Sequence, residues 1–285
     1  MNADAVTPEN TVKVASYNVW SQGGRTASGV DGKYNWSKAG GAVMESIIAS
    51  GADVISLQEV NSFSSGLHSG LNAWQWIIYK EDGTQTNLIG DLSYQSNVIL
   101  YKTSIFSCTS SGYIDLGTDG SRPYSAVYAQ LRHKASGQDL WVFSTHLYNS
   151  ADSDLQTTQV STLLAQVAAM VPDGTASVIL GDLNSYPVDN DGNSVATYAA
   201  LTGSRWEDAY DVVATREGNY VAKGLASGTM HNTATGALSS VRTDHILASD
   251  AAILSYGVDR NKYDNTDGVA IWPSDHFLIY SSLGL

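Results

Sequence analysis

In six short stretches of this sequence, polar side chains that can bind a metal ion or carry a proton stand directly after or before an apolar run. These side chains are Asn18, Glu59, His146, Asp182 with Asn184, Asp244 with His245, and Asp275 with His276. Carboxylates and carboxamides are ligands for hard cations such as Mg²⁺. An Asp–His pair can take up and release a proton near neutral pH. The set therefore predicts metal-assisted acid–base chemistry.

Each stretch taken singly has an ordinary structural explanation. An asparagine after a strand, such as Asn18, usually forms a turn, and a single histidine such as His146 is more often a satisfied interior residue than a catalyst. Asp182 and Asn184 could simply cap the segment that follows them. Six such stretches at strand ends are not explained by chance, and we interpret them as one site.

Apolar periodicity predicts the elements that carry these residues. Strands are predicted over residues 11–19, 53–57, 96–101, 124–133, 139–146, 177–180, 243–248, 252–258 and 276–282. Helices are predicted over residues 37–50 and 154–171, with weaker helical signals at 196–201 and 206–211. Because strand ends at one edge of a sheet are close and rigidly held, they can assemble the polar residues into one constellation.

Length and composition limit the domain count and the compartment. No linker divides the 285 residues, so we predict a single domain over residues 11–285. Residues 1–10 are polar and are predicted to be a disordered or tag-like start rather than a signal peptide. Charged residues make up only 15%, and Gly, Ser, Thr, Asn and Tyr are abundant, which favours a secreted, mature protein.

The residues around the six stretches resemble the endonuclease/exonuclease/phosphatase superfamily, and the matches appear in the family's order. They read SYNVW at 16–20, LQEV at 57–60, STHL at 144–147, GDLN at 181–184, TDHIL at 243–247 and SDHF at 274–277. The resemblance implies an α/β fold: a four-layer α/β sandwich of two mixed, mostly antiparallel sheets, packed face to face and flanked by helices.

The resemblance also implies a role for each site residue. Glu59 would be the principal ligand of Mg²⁺ or Mn²⁺, with Asn18 and Asp275 close by, directly or through water. His276 would be the general base on the attacking water, with Asp244 holding its ring.

The remaining implied roles concern the phosphate. Asp182 would orient the water or the reacting phosphorus centre, and Asn184 would donate to a non-bridging oxygen. His146 would bind phosphate or assist the leaving oxygen. Arg122 falls where some family members keep a phosphate-binding arginine, although a surface arginine in a turn is an equally good interpretation.

Two departures from the family pattern indicate which branch of the superfamily the chain resembles. Abasic-site endonucleases carry an acidic ligand where this chain has Trp20, and a tyrosine where it has His146. The sequence therefore points towards the deoxyribonuclease I and sphingomyelinase branches and towards a single metal ion.

Several further residues carry weaker predictions. The stretch 189–193 (DNDGN) looks like the start of a calcium loop, but its twelfth position is Ala200 instead of Glu, so a plain turn is the default and a structural Ca²⁺ the alternative.

His231, in the stretch 228–231, is a candidate pocket-rim residue. His68 and His133 are predicted to lie at the surface, and Cys108 in the core. The aromatic residues at 74, 76 and 79 are predicted to form a packed face rather than an exposed patch.

Three functions remain open. The first is a secreted phosphodiesterase that acts on nucleic acid, the preferred partner, with no obligate protein partner implied. The second keeps the chemistry on a phospholipid head group or a small phosphorylated molecule. The third is a catalytically silent binding module on the same scaffold. The net charge of −13 disfavours both DNA and anionic lipid, and the intact proton-transfer residues argue against the silent module.

Overall fold

The computed structural model describes residues 8–92, 96–189, 191–203, 205–213, 215–218, 229–233, 237, 239 and 241–285. Among these residues, no helix is long and apolar enough to span a membrane.

The described strands form two large sheets and one small ribbon. In chain order they are β1 (Thr11–Asn18), β2 (Val54–Val60), β3 (Trp74–Tyr79), β4 (Gln85–Thr86), β5 (Ser96–Lys102), β6 (Phe106–Thr118), β7 (Pro123–His133), β8 (Asp139–His146), β9 (Ser177–Asp182), β10 (Glu207–Asp208), β11 (Arg216–Gly218), β12 (Asp244–Ser249), β13 (Ala252–Ile253), β14 (Tyr256–Asp259), β15 (Tyr263–Asp264), β16 (Ala270–Ile271) and β17 (Leu278–Gly284).

The first sheet has the order β11-β14-β17-β1-β2-β5-β3-β4, with β13 also paired to β17, and the second has the order β10-β12-β9-β8-β7-β6. Each sheet is mixed, because β1 and β2 are parallel in the first and β8 and β9 are parallel in the second.

Three layers of apolar side chains hold the sheets and helices together. Val14 and Val54 of the first sheet pack against Val142 and Val178 of the second, which makes the central core. Separate clusters lie on the outer face of each sheet, under the helices. The predicted four-layer arrangement, with two mixed sheets and flanking helices, is confirmed.

The described helices are α1 (Gln22–Arg25), α2 (Trp36–Ser50), α3 (Gly66–Gly70), α4 (Asp154–Met170), α5 (Ala196–Thr202) and α6 (Ala209–Val212). Helix α2 ends at Gly51, whose φ of 68° is a left-handed conformation that glycine adopts without a steric penalty. Helix α4 begins at Ser153, whose side chain accepts a hydrogen bond from the backbone N–H of Gln156.

Some predicted elements were wrong or missed. Where β3 forms, the sequence predicts a packed aromatic face but no strand. Strand β6 is not predicted at all, because its sequence is polar and two bulges interrupt its pairing with β7. The strand predicted at 252–258 is two strands, β13 and β14, and the helix predicted at 206–211 begins instead with the short strand β10.

Two single-residue predictions and part of the predicted disordered start also need correction. His133 is buried rather than exposed, with its Nδ1 2.8 Å from Ser136 Oγ. Cys108 is only half-buried, because it lies at one of the bulges in β6. Residues 8–10 of the predicted disordered start form a 3-10 turn in which the Asn10 side chain donates to Leu285 O at 3.0 Å. Residues 1–7 lie outside the described part of the chain.

Candidate active site

Strand pairing brings the predicted residues to one edge of the two sheets. His146 and Asp182 end the parallel strands β8 and β9 in register with each other, and Asp244 begins β12 opposite Asp182. Asn18 ends β1 next to Gln58 of β2, so Glu59 follows directly. A side chain at position 181 would lie 1.9 Å from Thr145 O, so the close approach of β8 and β9 here requires glycine.

One oxygen of Asp182 lies at the centre of these residues. The Asn18 Nδ2 lies 3.1 Å from Asp182 Oδ2 and 3.1 Å from Glu59 Oε1, so the amide separates two carboxylates. The same Asp182 Oδ2 is 3.5 Å from His146 Nε2 and 3.7 Å from His276 Nε2. The structure therefore brings Asn18, Glu59, His146, Asp182 and His276 together.

His276 forms the expected pair with Asp244. The His276 Nδ1 lies 2.8 Å from Asp244 Oδ2, and both side chains are buried. Burial alone lowers the pKa of His276, but the negative charges of Asp244 and Asp182 outweigh it and hold that pKa well above its usual value. The imidazole is thus surrounded by groups that stabilise its protonated form.

The neighbouring histidines in turn lower the pKa of Asp182 and of Glu59. Burial alone raises the pKa of Asp182, but the facing His146 and His276 outweigh it and hold that pKa below its usual range. Burial alone would also raise the pKa of Glu59, but His146 and the backbone N–H of Ser21 outweigh it and hold that pKa below its usual value. The Ser21 N–H donates to Glu59 Oε2 at 2.8 Å.

Asp275 behaves differently from the other two carboxyl groups. Burial, with a smaller contribution from the negative charge of Glu59, raises the pKa of Asp275 to about 6 against the opposing effects of His276 and Arg25. The loss of water around the Asp275 carboxyl group is therefore the main cause of this shift.

This acidic cluster fits a divalent cation. Among the described residues, Asp182, Asp244 and His276 offer ligand atoms that all lie within 4.8 Å of one another. Asp244 Oδ1 is buried without a hydrogen-bond partner in the described part of the chain. Oxygen donors of this kind suit Mg²⁺ or Mn²⁺. Glu59 is not in that group of three, so its role as principal ligand stays a prediction.

Three non-glycine residues beside the site have a left-handed backbone. Their φ angles are 56° for Trp20, 60° for Glu59 and 46° for Asn184. Such a conformation costs on the order of 1–3 kcal/mol and persists where neighbours enforce it. At Glu59 the register of β2 against β5 shifts between Leu57 and Val60, and this irregularity redirects the carboxylate.

Asn184 and Arg122 lie beside the cluster. The Asn184 side chain donates to Leu147 O at 3.0 Å, and its backbone N–H donates to Asp182 Oδ1 at 3.2 Å. Arg122 lines a shallow cleft together with His146, and its Nε donates to Tyr124 Oη at 2.6 Å. The phosphate-binding roles of both residues stay predictions.

The structure contradicts one of the weaker predictions and agrees with the default interpretation of another. His231 is buried behind the site rather than at a pocket rim: its Nε2 lies 2.8 Å from Ser274 O, and its ring stacks on Phe277. In the suggested calcium loop the Asp189 carboxylate accepts hydrogen bonds from Asp191 N, Asn193 N and Asn193 Nδ2. This accounts for the turn without an ion. Gly228 and Asn190 lie outside the described residues.

Arg25 supports the site but was not singled out from the sequence. It is fully buried between the rings of Trp20 and Trp36. Its guanidinium donates to four backbone carbonyl oxygens, those of Val19, Trp20, Tyr34 and Pro273, at 2.7–2.8 Å. It thereby joins the segment after β1 to the segment that carries Asp275 and His276. No local pattern around position 25 signals this contact, because Pro273 is 248 residues away.

Comparison with known proteins agrees with this arrangement. The sequence profile described as "Endonuclease/Exonuclease/phosphatase family" matches residues 15–276. The chain belongs to this family. It is a metal-dependent phosphoesterase, and the silent binding module is set aside. No curated protein sequence shows significant similarity to the chain.

Solved structures share the fold at low sequence identity. A family protein from Bacteroides thetaiotaomicron is 20% identical, with a TM-score of 0.77 over 96% of this chain and 97% of its own. A mannosyl-6-phosphatase from the same organism is 19% identical, with a TM-score of 0.78 over 96% of this chain and 100% of its own. The catalytic domain of human Nocturnin, solved with a bound sulfate anion, is 17% identical, with a TM-score of 0.69 over 98% of this chain and 95% of its own.

Proposed function

We propose that the chain is a secreted phosphodiesterase that acts on nucleic acid, with Mg²⁺ or Mn²⁺ held by Glu59 and assisted by Asn18 and Asp275. The observation that supports it best is the orientation of His276, whose Nδ1 is held by Asp244 at 2.8 Å while its Nε2 faces Asp182 at 3.7 Å. Secretion is proposed from the composition of the sequence.

Each residue contributes a defined step to hydrolysis. With a bound cation offsetting the carboxylate charges that favour the protonated imidazole, His276 would be neutral and its Nε2 would take a proton from the attacking water. Asp244 would then stabilise the imidazolium that forms. Asp182 orients the water, and Asn184 donates to a non-bridging phosphate oxygen. His146 assists the leaving oxygen on the side of the cleft where Arg122 binds phosphate. A divalent cation, when bound, neutralises charge on the phosphate oxygens.

The acidic charge of the protein favours a second candidate, a small phosphorylated molecule. The chain carries a net charge of −13 with only 15 Lys and Arg, whereas nucleic-acid binding gains much of its affinity from basic residues that neutralise phosphates. One of the similar structures is a mannosyl-6-phosphatase. A phospholipid head group belongs to the same alternative.

A substrate panel tests the proposal. Plasmid DNA, sphingomyelin, bis(4-nitrophenyl) phosphate and a sugar phosphate are each incubated with Mg²⁺, Mn²⁺, Ca²⁺ or EDTA. We expect hydrolysis of DNA and of the chromogenic diester that EDTA abolishes. Turnover of the sugar phosphate or of sphingomyelin alone would support the second candidate.

A histidine variant and its control test the mechanism. We expect His276→Ala to lower kcat by roughly 10²–10⁴, the usual value of general-base assistance. His68→Ala, at an exposed histidine, should leave kcat unchanged. Activity that survives both EDTA and His276→Ala contradicts the mechanism.

A further inference from the structure

The segments that follow β8 and β9 carry His146 and Asn184, and one side chain of helix α4 joins them. Gln156 is fully buried. Its Nε2 donates to Tyr148 O at 2.7 Å, in the segment after His146, and to Asn184 O at 2.9 Å. A buried carboxamide thus connects the backbone of the two segments.

Every polar group of the Gln156 carboxamide is used. Besides the two short donated hydrogen bonds, its Nε2 makes a longer one to Leu183 O at 3.4 Å. Its Oε1 accepts from Asp152 N at 3.2 Å and from Thr197 Oγ1 at 2.8 Å. The backbone N–H of Asp152 can only donate and the carbonyls of Tyr148 and Asn184 can only accept, so the orientation of the amide is fixed. Such a fully satisfied buried group specifies one arrangement of its neighbours.

The bond to Asn184 O acts on a residue with an uncommon backbone conformation. Asn184 has a φ of 46°, a left-handed conformation that asparagine adopts more readily than most residues and that its hydrogen bonds select here. Its backbone N–H and side chain are held by Asp182 and Leu147, and its carbonyl is held by Gln156. Without that third bond, Asn184 could relax and carry its side chain away from the reacting phosphate.

We propose that Gln156 is a positioning residue, which fixes Asn184 against the segment after His146 and so sets the geometry for phosphate hydrolysis. The inference rests on the proposed function, since it acts through the assigned role of Asn184. Neither the six polar stretches nor the acidic cluster includes Gln156.

Gln159 provides a matched control on the same helix. It is also fully buried, and its Oε1 accepts from Tyr148 N at 2.8 Å, while its Nε2 has no hydrogen-bond partner among the described residues. It therefore contacts the segment after His146, but no bond joins it to Asn184 in the described structure. Gln156→Met and Gln159→Met replace the two carboxamides by the same apolar chain of similar length.

The experiment compares kcat, KM and the thermal midpoint of both variants on whichever phosphoester the wild-type protein hydrolyses. We expect Gln156→Met to lower kcat about 10- to 100-fold, since small displacements of reacting groups have effects of this size, with KM changed by less than about threefold. Gln159→Met should stay within about threefold of the wild-type kcat. If Gln156→Met does not fold, Gln156→Asn, which is too short to reach Asn184 O, is judged by the same criteria.

A double-mutant cycle separates positioning from general destabilisation. In an Asn184→Ala background, Gln156→Met should lower kcat by less than about twofold further, because residues that act through one another are not additive. Equal losses in Gln156→Met and Gln159→Met, or a full additional loss in the Asn184→Ala background, overturn the proposal. If the wild-type protein hydrolyses no phosphoester, the proposed function itself fails, which is a different result.

Discussion

Two aspartate–histidine pairs lie on opposite faces of strand β12. Asp244 and His245 are consecutive residues, so their side chains point to opposite sides of the sheet. Asp244 pairs with His276 at 2.8 Å, and His245 Nδ1 lies 2.7 Å from Asp208 Oδ2. The two pairs have the same residue types and nearly the same spacing, yet only the first has been assigned a role in catalysis.

The difference lies in what surrounds each pair. His245 Nε2 lies 2.8 Å from Ser185 O, and Arg242 Nη1 lies 2.7 Å from Asp208 Oδ2, so both ends of that pair are occupied. His276 Nε2 instead faces Asp182 Oδ2 at 3.7 Å, outside hydrogen-bonding distance. An aspartate–histidine pair becomes useful for proton transfer when its outer nitrogen is left available to the reacting molecules, and it is structural when that nitrogen is capped.

The largest effect expected on the catalytic pair comes from Asp244→Asn. The amide still accepts a hydrogen bond but no longer stabilises the imidazolium of His276. We expect kcat to fall by roughly 10²–10⁴, measured on the substrate identified by the panel, with a circular-dichroism spectrum like that of the wild type. A loss of less than tenfold would break the distinction between the pairs.

Asp208→Asn should affect stability instead of the chemical step. It removes the nearer carboxylate of the buried Arg242 guanidinium, while Asp211 Oδ2 remains at 3.7 Å. Breaking a buried ion pair in this way costs about 3–5 kcal/mol. We expect the free energy of unfolding in urea to fall by this amount, while kcat at a temperature where the variant is folded stays within about threefold of wild type. A large loss of kcat in folded Asp208→Asn would contradict a structural role.

The stability of the structural pair should also depend on pH. Burial alone raises the pKa of Asp208, but Arg242 and His245 outweigh it and hold that pKa below its usual range. A depressed carboxyl pKa adds stability that is present above the unfolded-state value, about 3.9, and is lost as the pH falls through the folded-state value. The stability gap between wild type and Asp208→Asn should therefore be constant from pH 7 to 5 and narrow below about pH 4. Urea titrations at each pH measure it, and a gap that widens in acid would contradict this sign.

Tyr198→Phe should produce the smallest effect. The Tyr198 hydroxyl lies 2.9 Å from Asp208 Oδ2 and 2.9 Å from Asp211 Oδ2, and a hydrogen bond to a charged group contributes about 1.5–3 kcal/mol. We expect a loss of this size in the free energy of unfolding and no change in kcat. A selective fall in kcat would show that the structural pair is coupled to the active site.

The sequence allowed prediction of the catalytic pair but not of its structural counterpart. Asp244 and His276 stand at the ends of apolar runs, a local pattern that predicts strand ends. Asp208 lies in a weak helical signal and Arg242 in a polar stretch, and neither pattern predicts an ion pair. Their partnership appears only when β10 and β12 pair. The roles of Arg25 and Gln156 could not be predicted either, because both side chains bind backbone carbonyl groups, which every residue carries.

The fold was predictable where the apolar pattern was regular. Strand β8 was predicted with its observed bounds, since its interior contains the apolar run from Leu140 to Phe143, whereas the polar strand β6 was missed. The left-handed conformation of Glu59 could not be predicted either, because it depends on contacts with distant segments rather than on residue type.

Parallel substitution of the two histidines tests the central claim most directly. For His276→Gln and His245→Gln, kcat on the metal-dependent substrate and the free energy of unfolding are measured under identical conditions. We predict that His276→Gln, measured where it is folded, loses at least about 100-fold in kcat, and that His245→Gln loses stability but keeps kcat within about threefold. The reverse result, or equal losses of kcat in both variants, would contradict the assignment of the Asp244–His276 pair as the proton-transfer pair.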